Sequence, residues 1–153
     1  VSFCADGKGN RAVTRYYDAA MRAASGDEAA RLWLASHAAQ ADGRATIIAC
    51  DFDGTLCESD YPDSLAPNAP LLRAVRMMRE MGYEFILWTC RELDVLDDAL
   101  AWLKTQGVDG LVVNDNCAAV KEMFDGYNSR KIFADEYWDD KAACAAMTGE
   151  NAR

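Results

Sequence analysis

The sequence predicts an α/β fold, a parallel sheet covered by helices and preceded by a helical extension. Three observations carry this. From Thr46 onward, short apolar runs alternate with helical patterns, the signature of strand, crossover helix, strand. The first of these runs is almost wholly apolar, as a strand buried on both faces must be. The chain has 153 residues, enough for one substantial core but short for two. The expected organisation is therefore an extension over 1–44 and a core over 45–153.

Four strands are predicted: Thr46-Ile47-Ile48-Ala49-Cys50, Phe85-Ile86-Leu87-Trp88, Leu111-Val112-Val113, and a weaker one from Phe133 to Trp138 that Asp135 and Glu136 interrupt. Between the first two, Asn68 can cap a helix with Pro70 in its first turn, Leu71, Val75 and Met78 on one face, and Gly82 at its end. A second helix is expected from Glu92 to Gln106, on the stripe Leu93, Leu96, Leu100 and Leu103, with Gly107 as terminator. Residues 11 to 41 are alanine-rich and break at Ser25-Gly26, where Asp27 can cap a second helix. Val13, Tyr16, Tyr17, Ala20 and Ala24 make one stripe, and Leu32, Trp33 and Ala39 a poorer one. This reads as a hairpin docked on the core in preference to a lid, because an apolar stripe is more often packing than function.

Composition narrows the function classes. Hydrophobic residues make up 51% and charged residues 27%, which excludes a disordered or fibrous chain. The apolar runs are too short to span a bilayer and no leader pattern opens the sequence, so a cytoplasmic protein is expected. The net charge is −9, and the region beyond residue 44 holds ten basic against twenty acidic side chains. Such a surface repels a polyanionic backbone and argues against generic nucleic-acid binding. Cysteines 4, 50, 57, 90, 117 and 144 form no Cys-x-x-Cys pair, and His37 is the sole histidine, so reduced thiols are expected in place of a zinc site. Cys50 and Cys90 end apolar runs, where small buried side chains suit the packing. Asp6-Gly7-Lys8-Gly9 lacks both a preceding strand and the glycine spacing of a phosphate loop.

The informative segment is Asp51-Phe52-Asp53-Gly54-Thr55-Leu56, directly after the most apolar strand. Side chains just past the carboxyl end of a parallel strand line the crevice where ligands bind. Two carboxylates this close repel each other unless a cation intervenes, so the pair implies a divalent metal or an acid–base couple. Gly54 permits a sharp turn, and Thr55 can satisfy exposed amides. An isolated Asp-x-Asp is equally what an acidic turn looks like; the rest of the constellation is what separates the two. Thr89 ends the second strand, 38 residues after Asp51. Asp139 and Asp140 end the fourth, with Lys131 eight residues before Asp139. A hydroxyl, a cation and further carboxylates at strand ends are what a transferring phosphoryl group requires.

The segment from Asp51 to Leu56 resembles motif I of the haloacid dehalogenase superfamily, Asp-x-Asp-x-Thr followed by a hydrophobic residue. Thr89 is similar to motif II, Lys131 to motif III with Lys121 as the alternative, and Asp139-Asp140 to the acidic motif IV. The likeness covers about residues 46 to 145. The close spacing of Lys131 and Asp139 is similar to that of deoxyribonucleotidase-like and small phosphatase branches. Lys141 to Cys144 depart from the pattern, since many relatives carry a further Asp there.

The resemblance implies a Rossmann-like three-layer core without a cap domain, because only Cys57 to Pro67 separates motif I from the next helix. It implies a phosphohydrolase using Mg2+. Asp51 would be the nucleophile and Asp53 the acid and base, with Thr89 and Lys131 on the phosphoryl oxygens. The metal would lie among Asp51, Asp53 through its backbone carbonyl, Asp139 and Asp140. Gly54, Thr89, Cys90 and Lys131 would meet the substrate, and Arg91 either joins them or stands in a surface ion pair. An acid at position 53 favours phosphate chemistry over dehalogenation, since a halide needs no proton to leave. The expected partner is a small phosphorylated metabolite, a nucleotide or sugar phosphate. The open site is compatible with a homo-oligomer, or with the N-terminal hairpin as its cover. The competing readings are a non-catalytic module on the same fold, and a phosphate-accepting receiver, in which the order of acidic residues fits less well.

Overall fold

The structure, a computed structural model, describes residues 15–142; Val13, Cys4, Cys144 and the Asp6–Gly9 stretch lie outside them. Two helices, α1 (Arg15–Ala24) and α2 (Glu28–Ser36), precede strand β1 (Ile47–Cys50). A hairpin of β2 (Cys57–Asp60) and β3 (Asp63–Pro67) follows, then α3 (Ala69–Glu80), β4 (Glu84–Leu87), α4 (Leu93–Thr105), β5 (Val112–Val113), α5 (Ala118–Met123) and β6 (Glu136–Trp138).

All four predicted strands form one parallel sheet in the order β5-β4-β1-β6. The chain steps outward from β1 to β4 to β5, then returns to place β6 on the other side of β1. That reversal makes the β1/β6 boundary the topological switch point, where open α/β sheets leave a crevice at their carboxyl ends. Side chains of β1 alternate between two cores. Ile48 and Cys50 join Phe85 and Leu87 in a cluster filled by Ala20, Leu34, Leu71, Val75, Ala99 and Leu103 from α1 to α4. Ile47 and Ala49 join Ile86 in a thinner one closed by Val120 of α5 and by Ile132 and Ala134. Helices thus cover both faces, but the second layer is one short helix and a loop.

The caps fall where the sequence puts them. Asn68 accepts from the Leu71 N–H to start α3, Asp27 accepts from the Ala30 N–H to start α2, and Gly26 takes the positive φ the break requires. Of the predicted α4 stripe, Leu103 is buried and Leu96 and Leu100 pack half-buried against the same core, joined by Ala99, while Leu93 in the first turn is 82% exposed. The α2 stripe is rotated: Ala30 and Leu34 are buried, Trp33 is half-buried beside them, and Leu32 faces solvent.

The acidic residues that weaken β6 as a strand prediction have a structural use. Glu136 accepts the Tyr16 and Tyr17 N–H groups at 3.0 and 2.9 Å, capping the first turn of α1. Asp135 takes a two-pronged ion pair from Arg44, both bonds 2.9 Å, and the Ile47 N–H at 2.8 Å. The N-terminal hairpin is therefore built into the core. His37 caps the C-terminus of α2 and stacks on Trp33 with centroids 4.0 Å apart. Among the described residues there is no disulfide, and no helix is long and apolar enough to cross a membrane.

Candidate functional site

Register builds the site. Cys50 pairs with Trp138 across β1 and β6, so the next residues, Asp51 and Asp139, leave the sheet abreast at the switch point. Asp51, Asp139 and Asp140 each bring a carboxylate oxygen within 4.8 Å of the others. Burial and the Asp139 charge beside it push the Asp51 carboxyl up to about 6.

The turn after β1 holds this cluster in place. Phe52 and Leu56 are buried as plugs, and the Leu56 N–H returns to the Phe52 carbonyl at 3.0 Å. Between them the Thr55 hydroxyl donates to Asp51 Oδ2 at 3.1 Å and accepts the Asp140 N–H at 3.2 Å, so one side chain ties β1 to β6. Asn68, besides capping α3, donates to the Thr55 carbonyl at 2.9 Å. Gly54 has φ +79°, and a Cβ there would run into the Asp140 carboxylate. Asp140 Oδ1 is buried without a hydrogen-bond partner.

Asp53 departs from the expectation. Its carboxylate stands outside the acidic cluster, in a two-pronged ion pair with Arg91: Nε donates to Oδ2 at 2.9 Å and Nη2 to Oδ1 at 2.7 Å. Ser59 of the hairpin donates to Oδ1 at 2.6 Å. The Arg91 and Ser59 bonds hold the Asp53 carboxyl below its usual range, so it is ionised.

Arg91 is not the substrate contact predicted. It is 1% exposed. Its remaining N–H groups go to the carbonyls of Pro62 at 3.0 Å, Val95 at 3.2 Å and Asp63 at 3.5 Å. A guanidinium has five donors, and all are engaged. The segment expected to be only a short connection is thus the β2–β3 hairpin, fastened to the site through Arg91. No cap domain interrupts the described residues.

The crevice over the cluster is lined by Asp51, Asp53, Gly54, Cys90, Asp139 and Asp140, by Ser59, Asp60 and Tyr61 of the hairpin, and by Lys141. Cys90 is exposed there, contrary to the buried packing role predicted for it. Thr89 and Lys131 are not among the lining side chains. Thr89 is half-buried; its N–H and carbonyl are both bonded by the Asn114 side chain, at 2.9 and 2.8 Å, and its hydroxyl accepts the Arg91 N–H at 3.1 Å. Lys131 is exposed in the loop before β6, and Lys121 is bonded to Asp115 at 2.6 Å. Lys141 is the lining cation. Sequence reasoning registered it only as a departure from the motif; its place directly after the Asp139-Asp140 pair was the available signal. No residue of 15–44 lines the crevice, so the N-terminal hairpin is not its cover.

Neither the protein-family models nor the curated proteins contain a match to this chain. One solved structure is similar, described as that of the conserved protein coded by locus from Bacteroides thetaiotaomicron. It is 31% identical, with a TM-score of 0.56, over 65% of this chain and 78% of that one. With that identity over most of the other protein's length, the chain belongs to the same family as this conserved Bacteroides thetaiotaomicron protein.

Proposed function

We propose that the protein is a Mg2+-dependent phosphomonoester hydrolase of the haloacid dehalogenase type, with Asp51 as nucleophile. The observation that carries this reading is the convergence of Asp51, Asp139 and Asp140 at the switch point, with one buried oxygen of Asp140 lacking a partner. Three carboxylates, one of them protonated more readily than normal, form an expensive arrangement in the absence of a cation and a suitable donor set for a hard divalent one. Asp51, Asp139 and Asp140 would hold Mg2+. When bound, the ion would offset the charge of the carboxylates and of an incoming phosphate, which Asp51, Asp53, Asp60, Asp139 and Asp140 otherwise repel.

The chain's own residues then have separable tasks. An Asp51 oxygen attacks phosphorus, the ester P–O bond breaks, and the alcohol leaves after gaining a proton. Water next attacks the aspartyl-phosphate, the Asp51–phosphorus bond breaks, and phosphate departs with Asp51 restored. Thr55 orients the Asp51 carboxylate throughout. Lys141 supplies positive charge at the crevice. Asp53, held ionised by Arg91 and Ser59, is prepared to take a proton from the attacking water; to donate one to the leaving oxygen in the first step it must already carry a proton, taken from solvent or from the water attack of the preceding turnover.

Steady hydrolysis of p-nitrophenyl phosphate is the direct test, because p-nitrophenolate leaves without needing a proton. Turnover should require Mg2+ and stop with EDTA; no turnover under any divalent metal would leave a non-catalytic module as the better reading.

A second test does not involve turnover. The Asp51 carboxyl, raised to about 6, binds its proton more tightly folded than unfolded. Its contribution to stability is therefore complete below about pH 4 and lost as pH rises through about 6. The melting temperature in EDTA should fall across that window. Millimolar Mg2+ should reverse the fall; a melting temperature indifferent to Mg2+ at pH 7 would remove the metal from the proposal.

A further inference from the structure

The crevice is larger than a phosphoryl group needs. Its volume, about 510 Å3, falls within the roughly 300–1,000 Å3 typical of sites that take a whole small organic molecule. At its rim, on the turn between β2 and β3, Tyr61 lines the crevice while 64% exposed. The ring has a rigid base. The Arg91 guanidinium lies 5.3 Å from its centroid, and 4.8 Å from that of buried Phe52. Because every Arg91 donor is already engaged, the cation under Tyr61 cannot swing away without breaking the Asp53 pair and the hairpin contacts. One face of the ring is thus occupied by a fixed guanidinium. Among the described residues no other ring or cation packs on Tyr61.

We propose that Tyr61 is the specificity-determining residue of the crevice, and that its open face stacks on the heteroaromatic base of a nucleoside monophosphate whose phosphate reaches Asp51. This rests on the phosphohydrolase reading above. Asp60, beside Tyr61 in the same lining, offers a carboxylate acceptor to an amino group on the base. A saturated sugar phosphate would leave the ring face unused.

The test compares adenosine monophosphate with ribose 5-phosphate, which present the same phosphate on the same primary oxygen and differ in the base. Stacking of one base on an aromatic side chain corresponds to roughly 5- to 160-fold. The wild-type kcat/KM ratio should favour adenosine monophosphate by about that factor, Tyr61→Ala should abolish most of the preference through KM, and Tyr61→Phe should retain it. Equal use of the two esters by the wild type, or an unaltered ratio in Tyr61→Ala, overturns the inference while p-nitrophenyl phosphate turnover leaves the phosphohydrolase reading standing. Absence of turnover on all three esters with Mg2+ overturns both.

Discussion

Asp51→Asn should abolish phosphatase activity, by at least about a thousandfold, while raising the thermal stability of the metal-free protein. The two effects have one origin. The Asp51 carboxylate is half-buried next to Asp139, and its ionisation is opposed strongly enough to push it up to about 6. An amide of the same shape removes that charge and can still accept from the Thr55 hydroxyl, now 3.1 Å from Oδ2. It cannot attack phosphorus. Damage to the fold would lower both quantities, so opposed signs identify loss of the nucleophile. Melting at neutral pH in EDTA and turnover of p-nitrophenyl phosphate in Mg2+ provide the pair of measurements; substantial activity in the folded variant would end the Asp51 assignment.

Arg91→Met should lower stability by about 3 kcal/mol, toward the lower end of what removing one partner of a buried ion pair costs, because Asp53 retains 27% side-chain exposure to water. For a chain of this size that is a fall in melting temperature of roughly 6–12 °C. Methionine fills similar space against Phe52, so the loss reports the charge and its five bonds more than a cavity. Lysine should recover little, having a point charge where the site uses a planar fork. The damage should spread, since the hairpin carbonyls of Pro62 and Asp63 lose the same anchor. Protease cleavage within residues 57–67 should accelerate in the variant. An Arg91→Met protein as stable as the wild type would mean that the guanidinium does not fasten the hairpin.

What could be read from the sequence was what local pattern determines. The four strands, the Asn68 and Asp27 caps and the acidic cluster of Asp51, Asp139 and Asp140 each follow from short-range periodicity or from position at a strand end. The hairpin was missed because Cys57–Asp60 and Asp63–Pro67 are mostly polar and exposed, with no apolar alternation to betray them. Arg91 escapes for a different reason. A position two residues past a strand-end threonine suggests a substrate contact, whereas its burial depends on carbonyls about thirty residues earlier in the chain. Likewise Asp135 and Glu136 look like strand breakers until Arg44 and the first turn of α1 arrive from the other end of the chain. Partners distant in sequence leave no local trace.

The anchoring of α1 by Glu136 and of Arg44 by Asp135 bears on how far this protein can be shortened. Trimming to a core that begins at Ala45 would take Arg44 from Asp135 and the α1 amides from Glu136, at the root of β6, three to five residues ahead of Asp139 and Asp140. The truncated protein would lose alignment of its acidic cluster in exchange for mass removed elsewhere. The helical hairpin that looks dispensable braces the strand that delivers two of the three carboxylates of the acidic cluster.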